Sequence, residues 1–86
     1  MPIPVNITGE NVLQAIQRIQ LEGVPPYRGF RKWAVRYGNN LYPCKLLISW
    51  ANVYPNGEEL DPNPNNFQTD MATQYLANLE FIVVRV

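Results

Sequence analysis

The stretch YGNNLYPCKLLISWANVY, from Tyr37 to Tyr54, decides the fold, because a turn signal, a proline and an apolar run follow one another in it. Residues 38–40, Gly-Asn-Asn, tolerate positive φ and predict a tight hairpin turn. Pro43 suits the first position of a helix, where a missing N–H costs nothing. The apolar spacing that follows predicts a helix reaching Tyr54 and packed from more than one side.

The segment before this stretch predicts one strand and one helix. In KWAVRY, residues 32–37, large apolar residues take every second position, which is typical of a half-buried strand. The simplest such strand buries Trp33 and Tyr37 and exposes the charges. Thr8 is a candidate N-cap for the helix, and Gly23 is its natural end. The apolar stripe of this helix consists of Val12, Ala15, Ile16 and Ile19.

The segment after the stretch predicts a loop, a helix and a strand. The loop is rich in proline and asparagine, and we expect Phe67 to fold back from it as a hydrophobic anchor. Thr69 can cap the helix, and residues 80–86, EFIVVRV, predict a strand apolar enough for a central place in a sheet. The sequence therefore predicts one α+β domain over residues 1–86, with the order α-β-β-α-α-β and a three-stranded sheet packed by helices.

Composition excludes several classes of protein. The 86 residues include one cysteine, so a disulfide scaffold is excluded. They include no histidine, which removes the commonest general base and metal ligand. We therefore predict no catalytic residue, no metal and no cofactor. The sequence has neither a signal-peptide pattern nor an apolar run long enough for a bilayer, and we expect a cytoplasmic protein without membrane contact.

The charges total zero but are unevenly distributed. An acidic group, Glu58, Glu59 and Asp61, lies in the loop, where a solvated turn is the simpler interpretation than a metal site. Two interpretations of the basic residues stay open: a solvated surface of mixed charge, or a basic patch for nucleic acid. The candidate nucleic-acid-binding residues are Arg28, Arg31, Lys32, Arg36 and Lys45.

Lys45 and four aromatic residues each have two interpretations. Lys45 lies in the first turn of the predicted second helix, where it can contact a phosphate or lay its stem over Tyr42 or Trp33. Aromatic residues among basic ones suit stacking on bases, and also suit a core. The candidates for stacking are Tyr27, Phe30, Tyr37 and Tyr54. Cys44 follows Pro43 at the same helix start, and without a histidine we interpret it as a small, partly buried residue.

Residues 37–62, YGNNLYPCKLLISWANVYPNGEELDP, with Phe67 and the final YLANLEFIVV, resemble a known module. The module that they resemble is the N-terminal head module of modification-dependent restriction proteins. These proteins are McrA-like HNH endonucleases or related McrB-type restriction subunits. The sequence departs from that pattern at residues 68–70, where a Gly-Gly pair is usual, and at Glu80, where a glycine is usual. The positions that fit are Tyr42, Pro43, Lys45, Ala51, Gly57, Leu60, Phe67, Leu76, Leu79, Phe81 and Val83.

The resemblance implies an accessory module, because in such proteins catalysis belongs to another domain. The expected partners are double-stranded DNA, modified DNA included, and the other domains of a parent restriction enzyme. The expected function is non-catalytic DNA binding through the phosphate backbone that helps to select modified DNA. The alternative is a protein–protein docking or dimerisation module, which the neutral charge and the many aromatic residues favour.

Overall fold

A computed structural model describes residues 3–26, 32–61, 63 and 67–86, and it confirms the α+β class and the predicted order of elements. One short helix, α3, is added between the second and third predicted helices. The elements are α1 (Gly9–Glu22), β1 (Trp33–Tyr37), β2 (Asn40–Pro43), α2 (Cys44–Ala51), α3 (Val53–Asn56), α4 (Thr69–Asn78) and β3 (Ile82–Arg85).

The sheet is antiparallel, with the strand order β2-β1-β3. The hairpin places β2 on one side of β1, and the C-terminal strand pairs with the other side, so β1 is central. The prediction of a central place for the C-terminal strand is therefore wrong. Burial on both faces does not explain the apolar character of this strand. Val83 packs against the core on one face, whereas Ile82 on the opposite face is 55% exposed.

The predicted ends of α1 are confirmed. The Thr8 hydroxyl accepts the backbone N–H of Asn11 at 3.2 Å, and the Asn11 side chain accepts the N–H of Thr8 at 2.9 Å. Gly23 ends the helix with a φ of 80°, and its N–H donates to the carbonyl of Ile19. This is the longest described helix, with 14 residues, and none of the described helices has the length and apolar character for crossing a membrane.

The predicted helix from Pro43 to Tyr54 is divided at Asn52. Pro43 is the last residue of β2 and the N-cap of α2, so the helix begins one residue later than predicted. The Asn52 side chain donates to the carbonyl of Glu58 at 2.9 Å, which holds the following loop against the end of α2. Pro55 has no N–H for a fourth-residue hydrogen bond, so the helical ladder is interrupted here.

The core lies between the helices and one face of the sheet. Every residue of α2 except Lys45 is buried, and this helix packs against both α1 and α4. Val35 of β1 is buried in the same core. Phe67 is also buried in it, which confirms its predicted role as a hydrophobic anchor. The helices thus cover one face of the sheet, and side chains on the other face do not take part in this core.

Candidate nucleic-acid interface

Arg36 lies in the middle of the sheet face that does not meet the core. Its neighbour Val35 is fully buried, and successive residues of a strand point to opposite faces, so Arg36 points away from the helices. Leu41 of β2 and Ile82 of β3 are its direct cross-strand partners, and they are 39% and 55% exposed. We call the face that carries this row the open face. Two residues before Arg36 on the same face, Ala34 is fully buried, so the open face is more covered towards the start of β1.

A groove runs along the open face, and we call it the sheet groove. The hairpin turn forms one end of it, where Gly38 has a φ of 62°. Apolar side chains and two arginines make up most of the rest, and no acidic residue lines it. The lining residues are Arg36, Gly38, Asn39, Leu41, Ile82, Val84, Arg85 and Val86.

The charged side chains of the strands are all basic. Arg36 and Arg85 are exposed, and Lys32, directly before β1, is exposed at a position with the same parity as Arg36. The acidic residues lie outside the strands: Glu10, Glu22, Glu58, Glu59, Asp61, Asp70 and Glu80. Zero net charge therefore conceals an uneven distribution, in which the strands carry basic but no acidic side chains.

The sheet arginines are not neutralised within the described part of the chain. Neither Arg36 nor Arg85 makes an ion pair or a side-chain hydrogen bond there. Arg18 on α1 differs, because its Nε lies 3.1 Å from Glu22 and its guanidinium lies 3.9 Å from the centre of the Trp50 ring. The sheet arginines therefore keep their full capacity to bind an anion, and Arg18 supplies an internal reference.

Lys45 is not brought to the open face. Its Nζ lies 4.7 Å from the centre of the Phe67 ring, which is part of the core on the helix side. This contact joins the ammonium group to Phe67, whereas the packing interpretation places the stem over Tyr42 or Trp33. Lys45 and Arg36 therefore lie on different surfaces of the protein.

The two stacking candidates that the structure describes, Tyr37 and Tyr54, do not line the sheet groove. Tyr37 is 45% exposed and shares its strand parity with Val35, so it lies on the face opposite to Arg36. Tyr54 is 43% exposed on α3. Trp33 packs partly buried against the core, as predicted. The remaining candidates, Tyr27, Arg28, Phe30 and Arg31, lie outside the described residues.

Arg85 is the one functional candidate that sequence reasoning missed. The sequence pattern of residues 80–86 predicts an apolar strand and gives no reason to single out the arginine among them. Its significance depends on pairing with Trp33 at the far end of β1, 52 positions earlier in the chain. The local signal is a cation within a run of β-branched residues, and only the pairing with β1 places it at the rim of the sheet groove, on the strand face opposite to Arg36.

Two candidate chemistries prove to be structural. Burial raises the pKa of the Cys44 thiol to about 12, so the thiolate is disfavoured despite the helix start. Glu59 accepts a hydrogen bond from Nε1 of Trp50 at 3.0 Å, which ties the acidic loop to α2. Among the residues that the structure describes, no group of three histidine, cysteine or acidic side chains is arranged to hold a metal ion.

The chemistry available at the sheet groove is anion binding. A guanidinium offers several donors in a fixed plane, which matches phosphate or carboxylate oxygens in a bidentate manner. Leu41 and Ile82 add apolar area on either side of Arg36. Comparisons of the chain with protein-family models, curated proteins and solved structures found no match.

Proposed function

We propose that this chain is a non-catalytic DNA-binding module whose sheet contacts the phosphate backbone through Lys32 and Arg36 on the open face and through the exposed Arg85 on the edge strand β3. The observation that carries the proposal is the gathering of Lys32, Arg36 and Arg85 on the sheet while the acidic residues lie elsewhere. Neutralising phosphates with cations releases counterions, which gives sequence-independent affinity. The chain contains no histidine, so the bound DNA would not meet the commonest catalytic base.

The arrangement on β1 suits contact with more than one phosphate. Lys32 and Arg36 are four residues apart along the strand, which corresponds to roughly 13 Å at the usual rise of a strand. Contacts of this kind orient a protein on DNA but carry no base information. Recognition of the modified base would then belong to other domains of a parent restriction enzyme. The module would help these domains select modified DNA by strengthening the binding of the whole enzyme to the duplex. The resemblance to the head module of modification-dependent restriction proteins supports the same proposal.

The salt dependence of duplex binding tests this function. With three phosphate contacts, the slope of log K against log salt should be about −2.7, so affinity should fall roughly 40-fold between about 50 and 200 mM salt. Fluorescence anisotropy with methylated and unmethylated duplexes measures both the affinity and the slope. No binding to either duplex at low salt would overturn the proposal.

A matched pair of variants localises the contact. Arg36→Gln should weaken binding and reduce the slope by about 0.9, because one phosphate contact is lost. Arg18→Gln removes the same charge from α1, where the arginine is already engaged with Glu22 and Trp50. It should leave the slope unchanged. Equal losses in both variants would mean that only net charge matters and that the sheet is not the contact surface.

A docking or dimerisation module is the second candidate. It is favoured by the exposed apolar side chains of Leu41, Ile82 and Val86 around the sheet arginines. Arginine is enriched in protein interfaces, and homodimer interfaces are more apolar than the rest of a protein surface. Size-exclusion chromatography with light scattering separates the candidates, because a stable dimer without affinity for DNA would favour docking.

A further inference from the structure

We propose that the outer edge of β3 binds an extended acidic peptide by strand addition. Such docking would share Arg85 with the proposed DNA contact, but it depends on the backbone of β3, which that contact does not use. The N–H of Val86 donates to the carbonyl of Lys32 at 2.7 Å, so this pair is of the hydrogen-bonded type. In the same antiparallel register, the pairs Ala34–Val84 and Arg36–Ile82 alternate with it and are also hydrogen-bonded.

It follows that Val83 and Arg85 point their backbone N–H and C=O groups away from β1. Among the residues that the structure describes, no strand lies beyond β3 in the sheet. Within the described residues, these outward groups make no backbone hydrogen bond to a loop or helix. An edge of this kind is a template on which another extended chain can pair.

The opposite edge of the sheet is protected. In β2 the outward positions are Leu41 and Pro43, since Tyr42 and Asn40 pair with β1. Proline has no N–H, so the N–H of Leu41 is the single outward donor of β2. A strand added to this edge would find its hydrogen-bond ladder interrupted at Pro43. On the edge of β3, both Val83 and Arg85 retain their donors. Strand addition is therefore specific to β3.

The side chains around β3 define the peptide. On the open face, Ile82, Val84 and Val86 offer apolar area to every second residue of an added strand. On the other face, the exposed cation Arg85 would lie beside the intervening residues. The sheet groove contains no acidic residue that would repel such a peptide. Charge complementarity and strand parity together specify a segment in which apolar and acidic residues alternate.

A second copy of the chain is a poorer occupant of this edge. Residues 82–86, IVVRV, include a cation and no acid. Pairing two β3 strands would bring Arg85 of both copies to one interface without counter-charges. Like charges brought together at an interface are unfavourable. An acidic peptide instead neutralises Arg85.

The test uses a labelled, end-blocked peptide of alternating valine and glutamate, titrated with the full chain and followed by anisotropy. The valine–lysine peptide is its control and should not bind. Arg85→Pro removes an outward N–H that the ladder to β1 does not use, whereas Arg85→Gln removes the charge and keeps the N–H. Both should fold alike by circular dichroism. The proline variant should bind the peptide at least about fivefold more weakly than the glutamine variant.

The outcomes separate this inference from DNA binding. Duplex DNA senses the charge of Arg85, so both variants should lose equal affinity for DNA. Equal affinity of both variants for the peptide, or no peptide binding at all, would overturn strand addition and leave the DNA proposal standing. A stable dimer of the chain whose interface protects the amides of Val83 and Arg85 from hydrogen exchange would also overturn it, because the occupant would then be a second copy.

Discussion

The hydroxyl of Tyr75 on α4 donates a hydrogen bond to the backbone carbonyl of Ile7, 2.8 Å away, and so fastens the segment before α1 to the last helix. The same hydroxyl lies 3.1 Å from the carbonyl of Pro4. Ile7 is buried in the core beside this contact. A single side chain therefore joins parts of the chain that are 68 positions apart.

Replacement of Tyr75 by phenylalanine should lower the free energy of unfolding by about 1–3 kcal/mol, because a buried carbonyl loses its donor. Urea denaturation monitored by circular dichroism measures the change. Tyr54→Phe is the matched control, since Tyr54 is 43% exposed, and it should change stability by less than about 0.5 kcal/mol. Equal effects of the two replacements would show that the Tyr75 hydroxyl is not a structural tie.

The buried thiol of Cys44 makes stability depend on pH in the alkaline range. Burial raises its pKa from 9.0 to about 12, so above pH 9 the unfolded chain loses this proton while the folded chain keeps it. The free energy of unfolding should therefore decrease as pH rises from 9 towards 12, by at most about 1.4 kcal/mol per pH unit from this group. Urea midpoints across this range measure the slope.

Tyr75 adds to the same slope, and a variant separates the two groups. Burial raises the pKa of Tyr75 above 10.0, so its stabilising effect is complete below pH 10 and is also lost as pH rises. Cys44→Ala should flatten the pH dependence just above pH 9, where the tyrosine does not yet titrate. An unchanged slope in this variant would contradict the assignment to the thiol.

Local chemistry made much of this fold predictable. The caps of α1 follow from Thr8 and Gly23 and their immediate neighbours, and the hairpin follows from residues 38–40. Each of these features depends on hydrogen bonds or φ angles within a few residues. Sequence reasoning failed where distant partners decide. The edge position of β3, for example, depends on its pairing with β1, which is distant in the chain.

The candidate site was only partly predictable for the same reason. Alternation along β1 correctly separates Arg36 from the core, because strand parity is a local property. It does not reveal that Arg85 lines the same groove, which requires the pairing of β1 with β3. Nor does it reveal that Lys45 is held over Phe67, a contact between residues 22 positions apart.

The hairpin turn should be sensitive to a side chain at Gly38. Its φ of 62° is strained for other residues, although nothing lies within 4 Å of where a Cβ would stand. Gly38→Ala should therefore cost about 1 kcal/mol through backbone strain alone. Gly9→Ala is the control, because its φ is not positive and the added Cβ meets only Phe81 at an ordinary 3.8 Å. In thermal unfolding, the melting temperature of Gly38→Ala should be lower than that of the parent chain. The melting temperature of Gly9→Ala should be higher than that of the parent or unchanged.

Lys45 provides the sharpest check on which cations bind DNA, because it is basic but faces the helix side. Lys45→Gln should lower the free energy of unfolding by about 0.5–1 kcal/mol through loss of the contact with the Phe67 ring. It should leave the salt slope of duplex binding unchanged, whereas Arg36→Gln should reduce that slope by about 0.9 without a comparable loss of stability. Anisotropy and urea denaturation on the same two variants give both quantities. A reduced slope for Lys45→Gln would mean that the DNA path runs over the start of α2 and includes the helix side of the sheet.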